Sequence, residues 1–270
     1  MQTPSPLPAW RPSPLILASL GVHGGALAAV LARPVAWPWA LGAVVADHAL
    51  LAAAGLSPRS HLLGPNWTHL PAAAGARAVA LTVDDGPDPE ITPRVLAVLE
   101  RYRTPATFFC IGERIERHPE LARALSEGGH AIENHSHRHL HRFSLLGPHA
   151  LRGEIERAQE AIEAATGRRP QFFRAPAGLR SPFLDPVLQR LGLRLASWTR
   201  RGFDTVNPSA DTVFSKLARG LGGGDILLLH DGHAARTGRG VPVILEVLPR
   251  LLDAMLGAGL KPVTLRAALA

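Results

Sequence analysis

The stretch Ala78–Pro87 reads Ala-Val-Ala-Leu-Thr-Val-Asp-Asp-Gly-Pro, an apolar run that ends in two adjacent carboxylates and a Gly-Pro pair. Val and Thr favour a strand, and Gly-Pro favours a turn directly after it. Neighbouring strand residues face opposite sides, so two acids inside a core would be very costly. At the strand's C-terminal end, Asp84 and Asp85 can share one cleft, one binding a metal and the other accepting a proton. A solvated turn is the alternative, and this stretch alone favours neither.

After this stretch, short apolar strands alternate with helical patterns. The predicted strands span residues 79–83, 107–111, 131–134, 171–174, 193–198, 226–229 and 262–265. The predicted helices span residues 93–102, 115–127, 151–165, 182–191, 210–221 and 243–258. This alternation predicts an α/β fold, either a parallel sheet or a barrel. In such barrels the active site lies at the C-terminal ends of the strands.

The first sixty residues carry very few charges and contain two long apolar stretches. Residues 14–32 and 35–56 are each long enough to cross a hydrocarbon core of about 30 Å. We interpret residues 1–60 as a membrane hairpin. A signal peptide is less favoured because only Arg11 precedes the first stretch, and an apolar helical pair folded onto the soluble part is a further alternative. Asp47 and His48 lie inside the second stretch, where ionisable residues usually mark a functional site.

Composition sets the remaining boundaries. Residues 61–76 are rich in proline and read as a linker, which leaves 77–270 as the catalytic domain. The net charge of +7 comes almost entirely from arginine. No basic run with interleaved aromatic residues occurs, so we expect no nucleic-acid partner. The single cysteine, Cys110, excludes an internal disulfide.

Polar residues follow five of the predicted strands. They are Asp84 and Asp85, the run Asn134–His139, the run Arg174–Gly178, Trp198 with Asp204, and His230 with Asp231. His135 and His139 are four residues apart, a spacing that lets two imidazoles face one ion, but His137 and His141 share it. Two histidines and one carboxylate form a catalytic type of metal site, which leaves positions open for water and substrate.

These segments resemble, in order, the five signatures of the NodB-like polysaccharide deacetylases, carbohydrate esterase family 4. The matching segments are Thr82–Pro87, His135–His139, Arg174–Gly178, Trp198–Asp204 and Leu228–Asp231. The resemblance selects His135 and His139 over the alternative histidine pair. It implies a distorted (β/α)7-type barrel behind the apolar helical hairpin, and metal-dependent hydrolysis of an N-acetyl group on an amino sugar.

The resemblance also implies a role for each matched residue. Asp85, His135 and His139 would hold a divalent metal, most often zinc in this family. Asp84 would be the general base and His230 the general acid, oriented by Arg174 and Asp204 respectively. The backbone N–H of Ala177 would stabilise the oxyanion, and Leu228 would line the pocket for the acetyl methyl group.

Two positions depart from the family pattern. Ala177 stands where an aromatic residue usually follows the proline of the third signature. Thr205 stands where tryptophan usually follows the aspartate of the fourth signature and forms a wall of the acyl pocket. We therefore predict an acyl pocket that is wider than usual.

The expected function is removal of N-acetyl groups from an envelope or extracellular glycan: peptidoglycan, an exopolysaccharide or a chitin-like oligomer. The expected partners are this carbohydrate and, through the N-terminal segment, the membrane of a bacterial cell envelope. A deacylase or deformylase of a lipid-linked amino sugar and an O-acetyl esterase are the alternatives. The intact set of acids and histidines opposes a catalytically inactive carbohydrate-binding protein.

Other candidate residues read as structural or solvent-exposed. Cys110 is expected in the core and Asp231 in a structural turn. His233, Arg236 and Arg239 are expected in a solvated loop, and contact with a sugar or an anionic group is the alternative. His118, His130 and His149 are expected on the surface.

Overall fold

The sheet at the centre of the fold is parallel throughout. The computed structural model describes residues 9–269. The strands are β1 (Ala78–Asp84), β2 (Thr107–Cys110), β3 (Ala131–Asn134), β4 (Phe172–Phe173), β5 (Arg194–Leu195), β6 (Arg200–Arg201), β7 (Ile226–His230) and β8 (Lys261–Pro262). Their order is β5-β4-β3-β2-β1-β7-β6, with β8 pairing β1. The sheet curls into a half-barrel, which confirms the predicted α/β fold.

Helices connect the strands and cover the sheet. They are α1 (Pro14–Ala32), α2 (Trp37–Leu56), α3 (Thr92–Arg101), α4 (Gly112–Arg117), α5 (Pro119–Glu127), α6 (Pro148–Thr166), α7 (Leu184–Arg190), α8 (Ala210–Ala218) and α9 (Val243–Gly257). β1 is buried along its whole length, as expected for a parallel strand covered on both faces. Leu81 and Val83 of β1 share one apolar core with Leu251 of α9. This core fixes the strand that ends in the two acids.

The strand pattern differs from the prediction by one additional strand and by the bounds of three others. β6 was not predicted, because its two residues, Arg200 and Arg201, give no apolar run to detect. The predicted strands at 171–174 and 193–198 are present but shorter, with two paired residues each, and β8 shares only Pro262 with the strand predicted at 262–265. In the described residues no ladder joins β5 to β6, so the barrel is open between them.

The first two helices form a hairpin with an apolar surface. α1 and α2 are joined by the short 3-10 turn Pro34–Ala36. The mean hydropathy is 2.0 for the span 14–32 and 1.5 for the span 34–56, and both are long enough to cross a membrane. Leucines of α1 point outwards, with Leu20 64% and Leu27 63% exposed. Signal sequences share this length and apolarity.

Segment 61–76, predicted as a linker, is packed onto the half-barrel. The Trp67 N–H donates to the Leu195 carbonyl at 2.9 Å, and the Ser197 N–H donates to the Trp67 carbonyl at 2.8 Å. Leu63 and Leu70 are buried. The segment thus extends the sheet beside β5, and the division of the chain into domains stays a prediction.

Candidate active site

The two acids after β1 face the same cleft because the backbone changes conformation between them. Asp84 is the last residue of β1 and pairs with His230 of β7. Asp85 has a φ of 73°, in the left-handed region, so the alternation of the strand stops at this point. A Cβ at Gly86 would lie 2.5 Å from an oxygen of Asp231, so a larger residue would have to displace that carboxylate. Both carboxylates are buried at the C-terminal edge of the sheet.

Asp85 forms a cluster with two histidines from the loop after β3. Its Oδ1 lies 3.2 Å from His135 Nε2 and 3.3 Å from His139 Nε2. The ligand atoms of these three residues all lie within 4.8 Å of one another. The competing pair is elsewhere, because His137 points towards Glu116 at 3.8 Å and His141 is exposed. The structure therefore assembles the pair that the family resemblance selected.

The chemistry of this cluster fits a divalent cation. His135 Nδ1 donates to the Arg174 carbonyl at 2.8 Å, which directs its Nε2 towards Asp85. Among the described residues, the buried Asp85 Oδ1 has no hydrogen-bond partner. A proton or a cation must therefore lie between these facing acceptors. Two ligand atoms about 2.1 Å from a tetrahedral ion lie about 3.4 Å apart, close to the separations found here.

The protonation states of the cluster agree with a ligand role. Burial, together with the charge of His135, lowers the pKa of His139 to about 4, so its imidazole is neutral at pH 7. Burial raises the pKa of Asp85, but the neighbouring His135, His233 and His230 outweigh it and hold that pKa well below its usual value. Asp85 is thus a carboxylate beside the neutral imidazole of His139, which is the state in which both groups bind metals.

Arg174 positions Asp84 through a buried ion pair. Its fully buried guanidinium donates to Asp84 Oδ1 at 2.6 Å and to Thr82 Oγ1 at 2.7 Å, and it lies 4.1 Å from the centre of the Phe109 ring. Burial lowers the pKa of Arg174, and the Asp84 charge opposes that shift. The ion pair leaves Asp84 Oδ2 directed towards His135, 3.8 Å away.

His230 and Asp204 form the second charge pair. His230 Nδ1 lies 2.9 Å from Asp204 Oδ1, and the His230 backbone N–H donates to Asp204 Oδ2 at 2.7 Å. Burial lowers the pKa of His230, but the carboxylates of Asp204, Asp84 and Asp85 raise it to about 9. The imidazole is therefore protonated at neutral pH, and its Nε2 is available as a proton donor.

Comparison with known proteins identifies the family. A sequence model described as polysaccharide deacetylase matches residues 72–196. A peptidoglycan-N-acetylglucosamine deacetylase of Bacillus cereus is 34% identical over 177 residues, covering 65% of this chain and 82% of the relative. The chain belongs to the polysaccharide deacetylase family. A chitooligosaccharide deacetylase of Bradyrhizobium is 37% identical, covering 59% of this chain and 73% of the relative.

A solved structure supports the same assignment. The family 4 carbohydrate esterase from Streptomyces lividans, solved in complex with acetate, superposes with a TM-score of 0.63 and 33% identity, over 70% of this chain and 93% of that one. The comparisons confirm the predicted family and the predicted class of enzyme, a hydrolase of the polysaccharide deacetylases. They also confirm the half-barrel of parallel strands.

The two remaining candidate residues of this polysaccharide deacetylase lie in different parts of the fold, Ala177 on the rim of the half-barrel and Leu228 in the sheet. Ala177 is exposed and has a φ of 54°, within the short turn Pro176–Gly178. Leu228 is buried in β7, in register with Thr82 of β1. Their roles towards the oxyanion and the acyl methyl group stay predictions.

His233 is exposed in the loop after β7, as predicted, but it also contacts the cluster. Its Nδ1 lies 3.2 Å from Asp85 Oδ2, and Arg114 Nη2 lies 3.1 Å from its Nε2. A Cβ at Gly232 would lie 2.5 Å from the Asp85 carbonyl, so the loop after β7 is pressed against the cluster. The adjacent Gly232 was the only sequence signal for this approach. Arg236 and Arg239 of the same loop are paired with Glu90 and Glu246 at its exposed side.

The prediction of a surface position is wrong for His130. The residue is buried, and its Nδ1 accepts from the Ala106 N–H at 3.1 Å. Burial lowers its pKa to about 4, so it serves as a neutral acceptor inside the fold. His149 is exposed and His118 is partly exposed.

Cys110 and Asp231 occupy interior positions. Cys110 is fully buried in β2, and burial raises the pKa of its thiol well above the usual value. Asp231 accepts from Thr92 Oγ1 at 2.5 Å and from the Gly232 N–H at 3.0 Å. Its contacts are those of a residue that ties the loop after β7 to α3.

Proposed function

We propose that this chain is a metal-dependent N-deacetylase that acts on amino sugars of a bacterial cell-envelope glycan and is anchored in the membrane by α1 and α2. The observation that carries the proposal is the Asp85–His135–His139 cluster, together with a carboxylate held by Arg174 and an imidazole held by Asp204. The relatives named as peptidoglycan and chitooligosaccharide deacetylases support the substrate class.

The proposed metal is a divalent ion held by Asp85, His135 and His139, and zinc suits two imidazoles and one carboxylate with open positions. When bound, such an ion polarises the acyl carbonyl and acidifies the attacking water. The remaining chemistry belongs to the protein. Asp84 accepts a proton from water as the water oxygen bonds to the acyl carbon. His230 then donates its Nε2 proton to the amide nitrogen as the C–N bond breaks, releasing a free amine and a carboxylate.

The oxyanion that forms on the acyl oxygen is assigned to the Ala177 N–H, which lies on the exposed rim turn. The acyl methyl is assigned to the surface around Leu228. Since Ala177 and Thr205 replace larger residues of the family pattern, we expect a wide acyl pocket. Rates measured with N-formyl, N-acetyl and N-propionyl glucosamine oligomers should fall little with acyl size. Strict preference for acetyl would contradict this prediction.

The function is tested by separating the base from the metal ligands. Asp84→Asn should lower kcat/KM by about 10²–10⁴ while the bound metal, measured by elemental analysis, stays at the wild-type level. Asp85→Asn should lower the metal content itself. Asp253→Asn, an exposed acid on α9, is the matched control and should change neither. Activity that survived both a chelator and Asp84→Asn would refute the mechanism.

A further inference from the structure

The end of the apolar hairpin lies directly against the rim of the catalytic half-barrel. Gly55, in the last turn of α2, accepts at its carbonyl from the Arg180 N–H at 3.1 Å. A Cβ on Gly55 would collide with the carbonyl of Arg180, so the two backbones touch. Arg180 lies three residues after Ala177, the predicted oxyanion donor. Three residues of chain span at most about 11 Å. The last turn of α2 therefore lies within that distance, plus the length of one hydrogen bond, of the predicted donor.

The residues just after α2 continue across the same rim. A Cβ at Gly178 would lie 2.7 Å from Pro58 Cβ and 2.7 Å from the Trp198 ring, so Pro58 fills the space above the third signature. Arg59 Nη1 donates to the Thr199 carbonyl at 3.1 Å. The chain thus leaves the span and within three residues contacts the loops after β4 and β5. No flexible spacer separates the hairpin from these loops, which border the candidate active site and are called the catalytic mouth below.

The start of α1 is fixed to the same edge. Trp10 Nε1 donates to Asp185 Oδ2 at 2.8 Å, and Ser13 Oγ donates to the Leu62 carbonyl at 2.7 Å. Both ends of the hairpin therefore meet the half-barrel on one side, and the turn 34–36 is its far end. This arrangement orients the rim with respect to any bilayer that the hairpin crosses.

Aromatic and apolar side chains mark where the bilayer surfaces would lie. Trp37 and Trp39, at the far end of the hairpin, are 58% and 84% exposed, and Trp10 at the near end is 39% exposed. Tryptophan is enriched at both membrane interfaces. Leu62 and Phe183, both 51% exposed, extend this apolar edge onto the half-barrel beside Trp10. The near interface therefore coincides with the edge of the catalytic mouth.

We propose that the mouth opens at the bilayer surface and that the substrate is an N-acylated amino sugar attached to a membrane lipid. This inference rests on the proposed function and adds its substrate class. An enzyme that reached into a polymer layer would need a spacer between its span and its site, whereas only Ser57 separates α2 from Pro58. A saccharide that is anchored in the same bilayer can enter such a mouth without leaving the surface.

The first test compares two substrates with the same sugar. The full chain is reconstituted with zinc into phosphatidylcholine vesicles and given either hexadecyl N,N′-diacetylchitobioside embedded in the vesicles or the methyl glycoside in solution. We expect kcat/KM to be at least 10-fold higher for the embedded substrate. Equal rates, or faster hydrolysis of the soluble glycoside, would overturn the inference and leave the deacetylase function intact. Failure to hydrolyse either one would overturn both.

A matched pair of variants separates mouth placement from simple enrichment of substrate on the vesicle. Gly55→Leu forces α2 away from Arg180 while the hairpin still tethers the enzyme. Gly42→Leu adds the same side chain in α2 where no atom lies within 4 Å. The embedded-substrate preference should fall several-fold in Gly55→Leu and persist in Gly42→Leu. A preference unchanged in a folded Gly55→Leu protein would contradict the proposed placement.

A fluorescence measurement tests the same placement without relying on catalysis, so a loss of activity through misfolding cannot mislead it. The only cysteine, Cys110, is buried, so a fluorophore can be attached selectively to Phe183→Cys at the proposed interface. Glu127→Cys, exposed at the opposite end of the strands, is the control. Nitroxide-labelled lipids should quench the fluorophore at position 183 and leave the one at 127 bright. Equal quenching at both positions would overturn the inference.

Discussion

Asp204 holds His230 through both carboxylate oxygens, one on the imidazole and one on the backbone N–H. Because its charge is a main cause of the raised pKa of about 9, Asp204→Asn should lower the pKa of His230. Activity that needs the protonated imidazole is lost as pH rises through this pKa, so the alkaline limb of kcat/KM should move to lower pH. A pH–rate profile checks this, with Asp225→Asn, a buried acid remote from the cluster, as control. An unmoved limb would exclude His230 as the acid.

The same pair makes a prediction about stability in chelator-treated protein. A histidine whose pKa rises on folding stabilises the fold below its unfolded value, near 6.5, and this contribution is lost as pH rises through the folded value of about 9. The free energy of unfolding of the wild type should therefore decline across this range. Asp204→Asn should show a smaller decline in denaturant titrations at the same pH values.

His233 contacts the proposed metal ligand Asp85 from the outer side of the Asp85–His135–His139 cluster. Its Nδ1 binds the Asp85 oxygen that does not face the two histidines, so it orients the carboxylate. Loss of such a partner typically weakens metal binding by about 10–100-fold. His233→Ala should raise the zinc dissociation constant within that range in a competition titration. His149→Ala, an exposed histidine, should leave the constant unchanged; if both variants bind like wild type, His233 has no role in the site.

At the scale of elements, the sequence was sufficient to predict a strand or a site residue wherever the residues that indicate it are adjacent in the chain. The apolar run of β1, its two acids and the His135–His139 spacing are contiguous, and the family resemblance chose between the two histidine pairs. β6 could not be found because two arginines are held in place by pairing with β7, which is a contact remote in sequence. His233 reaches Asp85 only because the fold brings β1 beside β7. The docking of α2 on Arg180 depends on a glycine contact that has no sequence signature.

Polar side chains near the middle of α1 and α2 form hydrogen bonds between the two helices. Ser19 Oγ donates to the buried Asp47 at 2.7 Å, and His23 Nε2 lies 3.1 Å from His48 Nε2. Hydrogen bonds between membrane helices average about 0.6 kcal/mol in double-mutant cycles. A cycle with Ser19→Ala and Asp47→Asn, followed by denaturation in detergent, should give a coupling free energy of that order. A cycle on the exposed Leu20 and Leu50 should give none.

For the whole molecule, the hairpin should decide where the enzyme resides. Leu20 and Leu27 are exposed on α1, and arginine costs about 2.5–3.5 kcal/mol near the centre of a membrane helix. The double variant Leu20→Arg/Leu27→Arg should therefore lose much of the protein that resists carbonate extraction from membranes. The control is Leu145→Arg/Leu256→Arg, at two exposed leucines of the half-barrel, which should stay in the membrane pellet. Extraction of the wild type by carbonate would show that α1 and α2 do not span a bilayer, because only peripheral proteins are released by that treatment.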